Sequence, residues 1–142
     1  MEFPSIVVGG SHTLHRTVTE DYTAGNYWSD AELGELLSTP GLISMMIEAS
    51  VHLIDSHLPK EFMSIGKSAA VQHEHPCALW ANVATTVEIR EFDGYHVTLE
   101  MNAFDGLGLV GRGTHVRSIV NKRWMRIKVD QRVGTEISRY VM

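Results

Sequence analysis

Residues 38–55, Ser-Thr-Pro-Gly-Leu-Ile-Ser-Met-Met-Ile-Glu-Ala-Ser-Val-His-Leu-Ile-Asp, decide the fold. A Ser or Thr before a helix accepts a hydrogen bond from a first-turn amide, and proline suits the first helical position, where its missing N–H leaves nothing unpaired. Ser38 or Thr39 as cap and Pro40 just inside predict a helix that carries apolar residues almost unbroken from Leu42 to Ile54 and ends before Pro59. Its apolar positions cover most of the circumference and leave one polar stripe of Ser44, Glu48, His52 and Asp55. Such a helix is buried and needs more cover than one small sheet offers, so a second copy of the chain is expected.

Outward from this helix the period changes. Residues 62–75, 79–92, 95–105 and 107–120 read as strands. Leu79, Ala81, Val83, Val87 and Ile89 alternate with polar residues, as do Tyr95, Val97, Leu99, Met101 and Ala103, so each strand buries one face. Asp93-Gly94 between them signals a tight reversal, because glycine takes positive φ freely. On the N-terminal side, Thr-rich residues 12–22 read as a strand. Residues 29–37 read as a short helix, with Ser29 as cap, Glu32 three places on, and Leu33, Leu36 and Leu37 at helical spacing. Helices segregated to one face of an antiparallel sheet give an α+β class, with one long central helix wrapped by a curved sheet.

At 142 residues, with 44% hydrophobic and 20% charged, the chain has the composition of one soluble globular domain, taken as residues 1–142. A single cysteine, Cys77, excludes an internal disulfide and a cysteine-based zinc site. Residues 1–10 hold only the short apolar run Ile6 to Val8, without a basic flank, and no stretch is long enough to span a bilayer. A cytoplasmic location away from membranes is therefore expected. The net charge is −5, with seven of the twelve basic residues (Arg112, Arg117, Lys122, Arg123, Arg126, Lys128 and Arg132) clustered between residues 112 and 132, where a phosphate-bearing ligand would be met unless this is a solvated strand face. No basic stripe with interleaved aromatics suggests nucleic acid.

Gly106 to Gly111 spells G-x-G-x-x-G, but the residues after Gly111 are strand-like and only 31 remain, so a dinucleotide site is rejected. His73 and His75 lie two apart on a strand without an evident third ligand, so no metal is assigned. Glu48 either sits on the solvent stripe with His52 four residues on or lines a cavity. Gly111, Gly113, His115 and Arg117 share a strand face on which the glycines permit close approach by a helix or ligand.

Ser38-Thr39-Pro40, Glu48 within Met45-Met46-Ile47-Glu48-Ala49, the stretch Gly66 to His73, and Gly111-Arg112-Gly113-Thr114-His115-Val116-Arg117 resemble the hotdog-fold acyl-CoA thioesterases, in particular the fluoroacetyl-CoA thioesterase-like branch. The likeness covers most of the chain. It implies a homodimer or dimer of dimers that hydrolyses a small or medium acyl-CoA to free acid and coenzyme A, with no cofactor beyond the coenzyme A of the substrate. Thr39, Glu48 and His73 take the reactive roles. Glu48 attacks the thioester or activates water, and His73 assists proton transfer across a subunit boundary. Backbone amides at Gly41 and Leu42 are the candidate holders of the carbonyl oxygen. By the same resemblance Gly66 lines the acyl pocket and Arg117 supports it or the coenzyme A portion. The family places the acid eight residues after the Thr, whereas Glu48 is nine after Thr39 and Ile47 holds the usual place. Either the helix start is shifted so that Pro40 stands where the Thr normally does, or Glu48 faces away. A non-catalytic acyl-CoA-binding module is the alternative. A hotdog hydratase ranks last, because no Asp and His pair opens the helix.

Overall fold

The computed structural model describes residues 2–30 and 32–141, with side chains through residue 135. Five strands form one antiparallel sheet: β1 (Ser11–Thr17), β2 (Phe62–His73), β3 (Asn82–Phe92), β4 (His96–Asp105) and β5 (Gly108–Asn121). Their order across the sheet is β1-β3-β4-β5-β2, which leaves β1 and β2 as edges. Asp93 and Gly94 turn the chain between β3 and β4, with Gly94 at φ 104° and the Asp93 carboxylate accepting the amides of Tyr95 and His96 at 2.9 and 2.7 Å.

The long helix, α2 (Thr39–Asp55), packs against the sheet. Leu42, Met45, Met46, Ala49 and Ile54 are fully buried, against Val83, Val87, Val97, Leu99 and Met101. Each such large side chain contributes about 1.5–3 kcal/mol, so this face sets the rotation of the helix. The approach is close where Gly111 meets it, since a Cβ at that position would lie 2.7 Å from Leu42 Cδ2. Ile43, Ile47 and Val51, one turn apart, remain half-buried.

Three elements differ from the sequence expectation. The first strand stops at Thr17; one more ladder bond, from the Val18 amide to Ala81 O at 2.8 Å, follows before the chain leaves through a 3-10 turn, Glu20–Tyr22. Among the described residues of 29–37 no helix forms. Leu33 sits at φ 54°, Leu37 donates to Cys77 O at 2.9 Å and pairs with Thr23, and the short helix lies earlier, α1 (Ala24–Tyr27). The Leu37 amide is spent on a partner distant in sequence, and the Gly34 and Leu36 carbonyls accept the Gly25 and Ala24 amides at 2.8 and 2.9 Å, which takes these groups out of an i→i−4 ladder. The third is a C-terminal helix, α3 (Lys122–Val141), which the basic run did not announce. Asn121 Oδ1 accepts the Trp124 amide at 3.1 Å as its cap. Lys122, Arg123, Arg126, Lys128 and Arg132 are thus exposed helical residues, not a strand face. Among the described residues no helix is long and apolar enough to cross a membrane.

Candidate active site

The start of α2 is seated on the carbonyl of Tyr22. Ser38 donates to that oxygen twice, from its amide at 2.9 Å and its hydroxyl at 2.8 Å. The same hydroxyl accepts the Gly41 amide at 2.9 Å, and the Leu42 amide donates to Ser38 O at 2.9 Å. The two amides expected to hold a carbonyl oxygen are therefore both occupied by Ser38, and Gly41 and Leu42 are themselves buried. Pro40 has no N–H, which leaves Thr39 as the first-turn amide that Ser38 does not take.

Thr39 Oγ1 lies 3.0 Å from His73 Nδ1, at the end of β2. Both belong to one chain. His73 Nε2 is buried without a hydrogen-bond partner among the described residues. Burial pushes the His73 imidazole below its ordinary value, and the His75 backbone opposes this in part. The charged form is disfavoured, which leaves a neutral ring able to accept a proton. His75 takes a different partner, Leu109 O at 2.9 Å, and no cluster of three metal-ligating side chains occurs among the described residues.

Beside Thr39 opens a cleft of about 430 Å³, lined by Thr39, Pro40, Ile43, Ser44 and Ile47. Residues four apart stack on one helix face, which explains the line Thr39, Ile43, Ile47. Glu48 is turned a further 100° and its carboxylate is ion-paired with Arg16 of β1. The expected triad thus divides: Thr39 and His73 meet, whereas Glu48 has another partner. The helix start is not shifted, since Ser38 is the cap and Thr39 the first helical residue. Tyr22 is raised from its ordinary pKa by burial and then by the charges of Glu48 and Asp21.

Gly66 is exposed on β2 beside a second cluster, built on Arg117 of β5, that is buried. Arg117 donates from Nε to Ser64 Oγ at 2.8 Å, from a terminal nitrogen to Ser64 O at 2.9 Å, and from the other to His115 Nε2 at 3.2 Å. Ser64 Oγ in turn donates to Asp55 Oδ1 at 2.6 Å. His115 Nδ1 donates to Ser68 O at 2.8 Å while Nε2 accepts from Arg117, the pairing of a neutral ring, and burial lowers its pKa, aided by the Arg117 cation. A Cβ at Gly66 would lie 3.5 Å from both Arg117 and His115. Arg117 is spent inside the protein and is 6% exposed, which leaves no fork for coenzyme A phosphates. Sequence reasoning misses Arg16, Tyr22 and Ser64. Asp55, the partner of Ser64, is legible only as the last member of the polar stripe.

Residues 18–123 match the family model described as fluoroacetyl-CoA-specific thioesterase, FlK. A fluoroacetyl-CoA thioesterase from Streptantibioticus cattleyicolor is 27% identical over 118 residues, 83% of this chain and 84% of that protein. The crystal structure of a hot-dog-like protein from Thermanaerovibrio acidaminovorans superposes with a TM-score of 0.85 at 28% identity, covering 93% of this chain and 97% of the other. A fluoroacetyl-CoA thioesterase variant in complex with acetyl-CoA shares the fold at TM-score 0.81 and 23% identity, over 89% of this chain and 98% of that one. With a helix-seated hydroxyl, a strand imidazole and this match over three quarters of its length, the chain belongs to the fluoroacetyl-CoA-specific thioesterase family, on the hotdog fold.

Proposed function

We propose that this chain hydrolyses a small or medium acyl-CoA thioester to the free acid and coenzyme A, at the cleft beside Thr39. Family membership supports thioester hydrolysis as the reaction. The observation that carries the site is the hydrogen bond between Thr39, on the cleft wall, and the imidazole of His73. The acyl group lies against the cleft, and the thioester carbonyl faces the positive end of α2, where the Thr39 amide is the donor for the developing oxyanion. As an oxygen nucleophile attacks, the Thr39–His73 pair takes up its proton and returns it to the departing thiolate. Coenzyme A enters as part of the substrate and no other cofactor is called on. We further infer a cytoplasmic location and a homodimer, the dimer supported by the unpaired edge of β2, whose residues 66–70 are exposed.

The test is thiol release from a panel of acyl-CoA substrates by the wild type, Thr39→Val and His73→Ala. Each variant should lower kcat by roughly 100-fold or more, with the melting temperature kept. In the wild type the acidic limb of kcat/KM should have its midpoint below the ordinary histidine value, because burial holds His73 down. Acyl-CoA binding with no thiol release from any substrate would replace this reading with a non-catalytic binding module.

A further inference from the structure

Ile47 stands on the cleft face, at the place eight residues after Thr39, while Glu48 is engaged elsewhere. Glu48 is held by Arg16, and one turn further along α2 His52 stacks on His12, also of β1, with ring centroids 5.7 Å apart and planes within 10°. Arg16 and His12 flank buried Leu14 on the same face of β1, so the polar stripe of the helix is matched to that strand at two successive turns. Bringing Glu48 into the cleft needs a rotation of about 100°. That rotation would also drag Leu42, Met45, Met46 and Ala49, all fully buried, out of the core. The cleft instead carries Ile47 with Ile43 and Pro40, three aliphatic side chains in contact with the space beside Thr39.

Resting on the hydrolase reading above, we propose that Ile47 is the α2 residue that meets the acyl chain, that the attacking oxygen comes from water rather than a helix carboxylate, and that the preferred acyl groups are alkyl chains longer than acetyl. The water oxygen forms the new bond to the thioester carbonyl carbon and the C–S bond breaks. One water proton passes to the Thr39–His73 pair and from there to the leaving sulfur, so no covalent carboxylic anhydride forms. Glu48 is a positioning residue that ties β1 to α2. Each methylene buried against Ile47 and its neighbours is worth roughly fourfold in binding.

The experiment compares thiol release from acetyl-CoA and hexanoyl-CoA by the wild type, Ile47→Ala, Glu48→Gln and Arg16→Gln. Calorimetric binding of the unhydrolysable thioether S-hexyl-CoA to the wild type and Ile47→Ala runs alongside. Wild-type kcat/KM should favour hexanoyl-CoA by about tenfold or more. Ile47→Ala should erase most of that preference and weaken the thioether by a similar factor. Glu48→Gln and Arg16→Gln, which break the same ion pair from opposite ends, should each keep kcat within about threefold. A 100-fold loss in Glu48→Gln that Arg16→Gln does not share would overturn the proposal, as would a chain-length preference and thioether affinity that ignore Ile47→Ala. Should the wild type hydrolyse neither substrate, the hydrolase reading fails, and the calorimetry still decides whether Ile47 meets the acyl chain.

Discussion

Gly41→Ala is the substitution that most directly tests how the site is seated. In an unconstrained helix, alanine for glycine stabilises by about 1 kcal/mol. Here the new Cβ would stand 2.3 Å from the Tyr22 carbonyl oxygen and 3.0 Å from Ser38 Oγ. Ordinary contact needs the carbonyl to retreat by about 1 Å, yet that oxygen accepts both the Ser38 amide and the Ser38 hydroxyl. Losing both bonds costs about 1 kcal/mol each, and the overpacking adds about 1–3 kcal/mol. After the gain in propensity the net is a destabilisation of about 2–4 kcal/mol. For a chain of this size that lowers the melting temperature by roughly 6–12 °C, which thermal unfolding followed by circular dichroism will read. Thr39 moves with the helix start, so thiol release should fall by about 100-fold if the reacting groups shift by 1 Å. An unchanged or raised melting temperature would refute the reasoning, because it would mean that α2 does not press on Tyr22.

The buried cluster and the hairpin supply two more tests. Ser64→Ala removes the hydroxyl that bridges Asp55 and Arg117. Asp55 keeps the Ser64 amide and Arg117 keeps Ser64 O and His115, so the expected loss is about 2–3 kcal/mol in urea unfolding, and a change below about 0.5 kcal/mol contradicts the network. Asp93 is lowered from the ordinary 3.8 to about 2, first by the His96 amide, then by the Tyr95 amide and the His96 ring. A carboxylate whose folded value is depressed adds stability above its unfolded value and loses it as pH falls through about 2. Asp93→Asn should therefore flatten the acid limb of stability in that window, and a carbon-detected NMR titration should place Asp93 near 2. A midpoint near 4 would show that the turn amides do not hold it.

Much of the fold could be read from patterns that act over one or two turns. The cap at Ser38, the apolar run of α2 and the alternation along β3 and β4 are local, and they survive in the structure because packing agrees with them. Where packing overrides local preference the reading failed. Leu33, Leu36 and Leu37 have helical spacing, yet Leu37 is drawn to Cys77 O and Thr23. The basic residues of α3 carry no clean apolar stripe to announce a helix, and the Asn121 cap was the one local signal available.

The site divides along the same line. Sequence by itself determined a capped, apolar helix opening at Ser38-Thr39 and a strand that carries His73, because helix start and strand period are properties of neighbouring residues, and the family resemblance implied that Thr39 and His73 act together. Only the tertiary structure decided which face of that helix meets the cleft. A single residue turns a helix by about 100°, and the rotation is set by core burial and by Arg16 and His12 on an edge strand more than thirty residues away. That contact spends Glu48 on β1 and gives the cleft to Ile47.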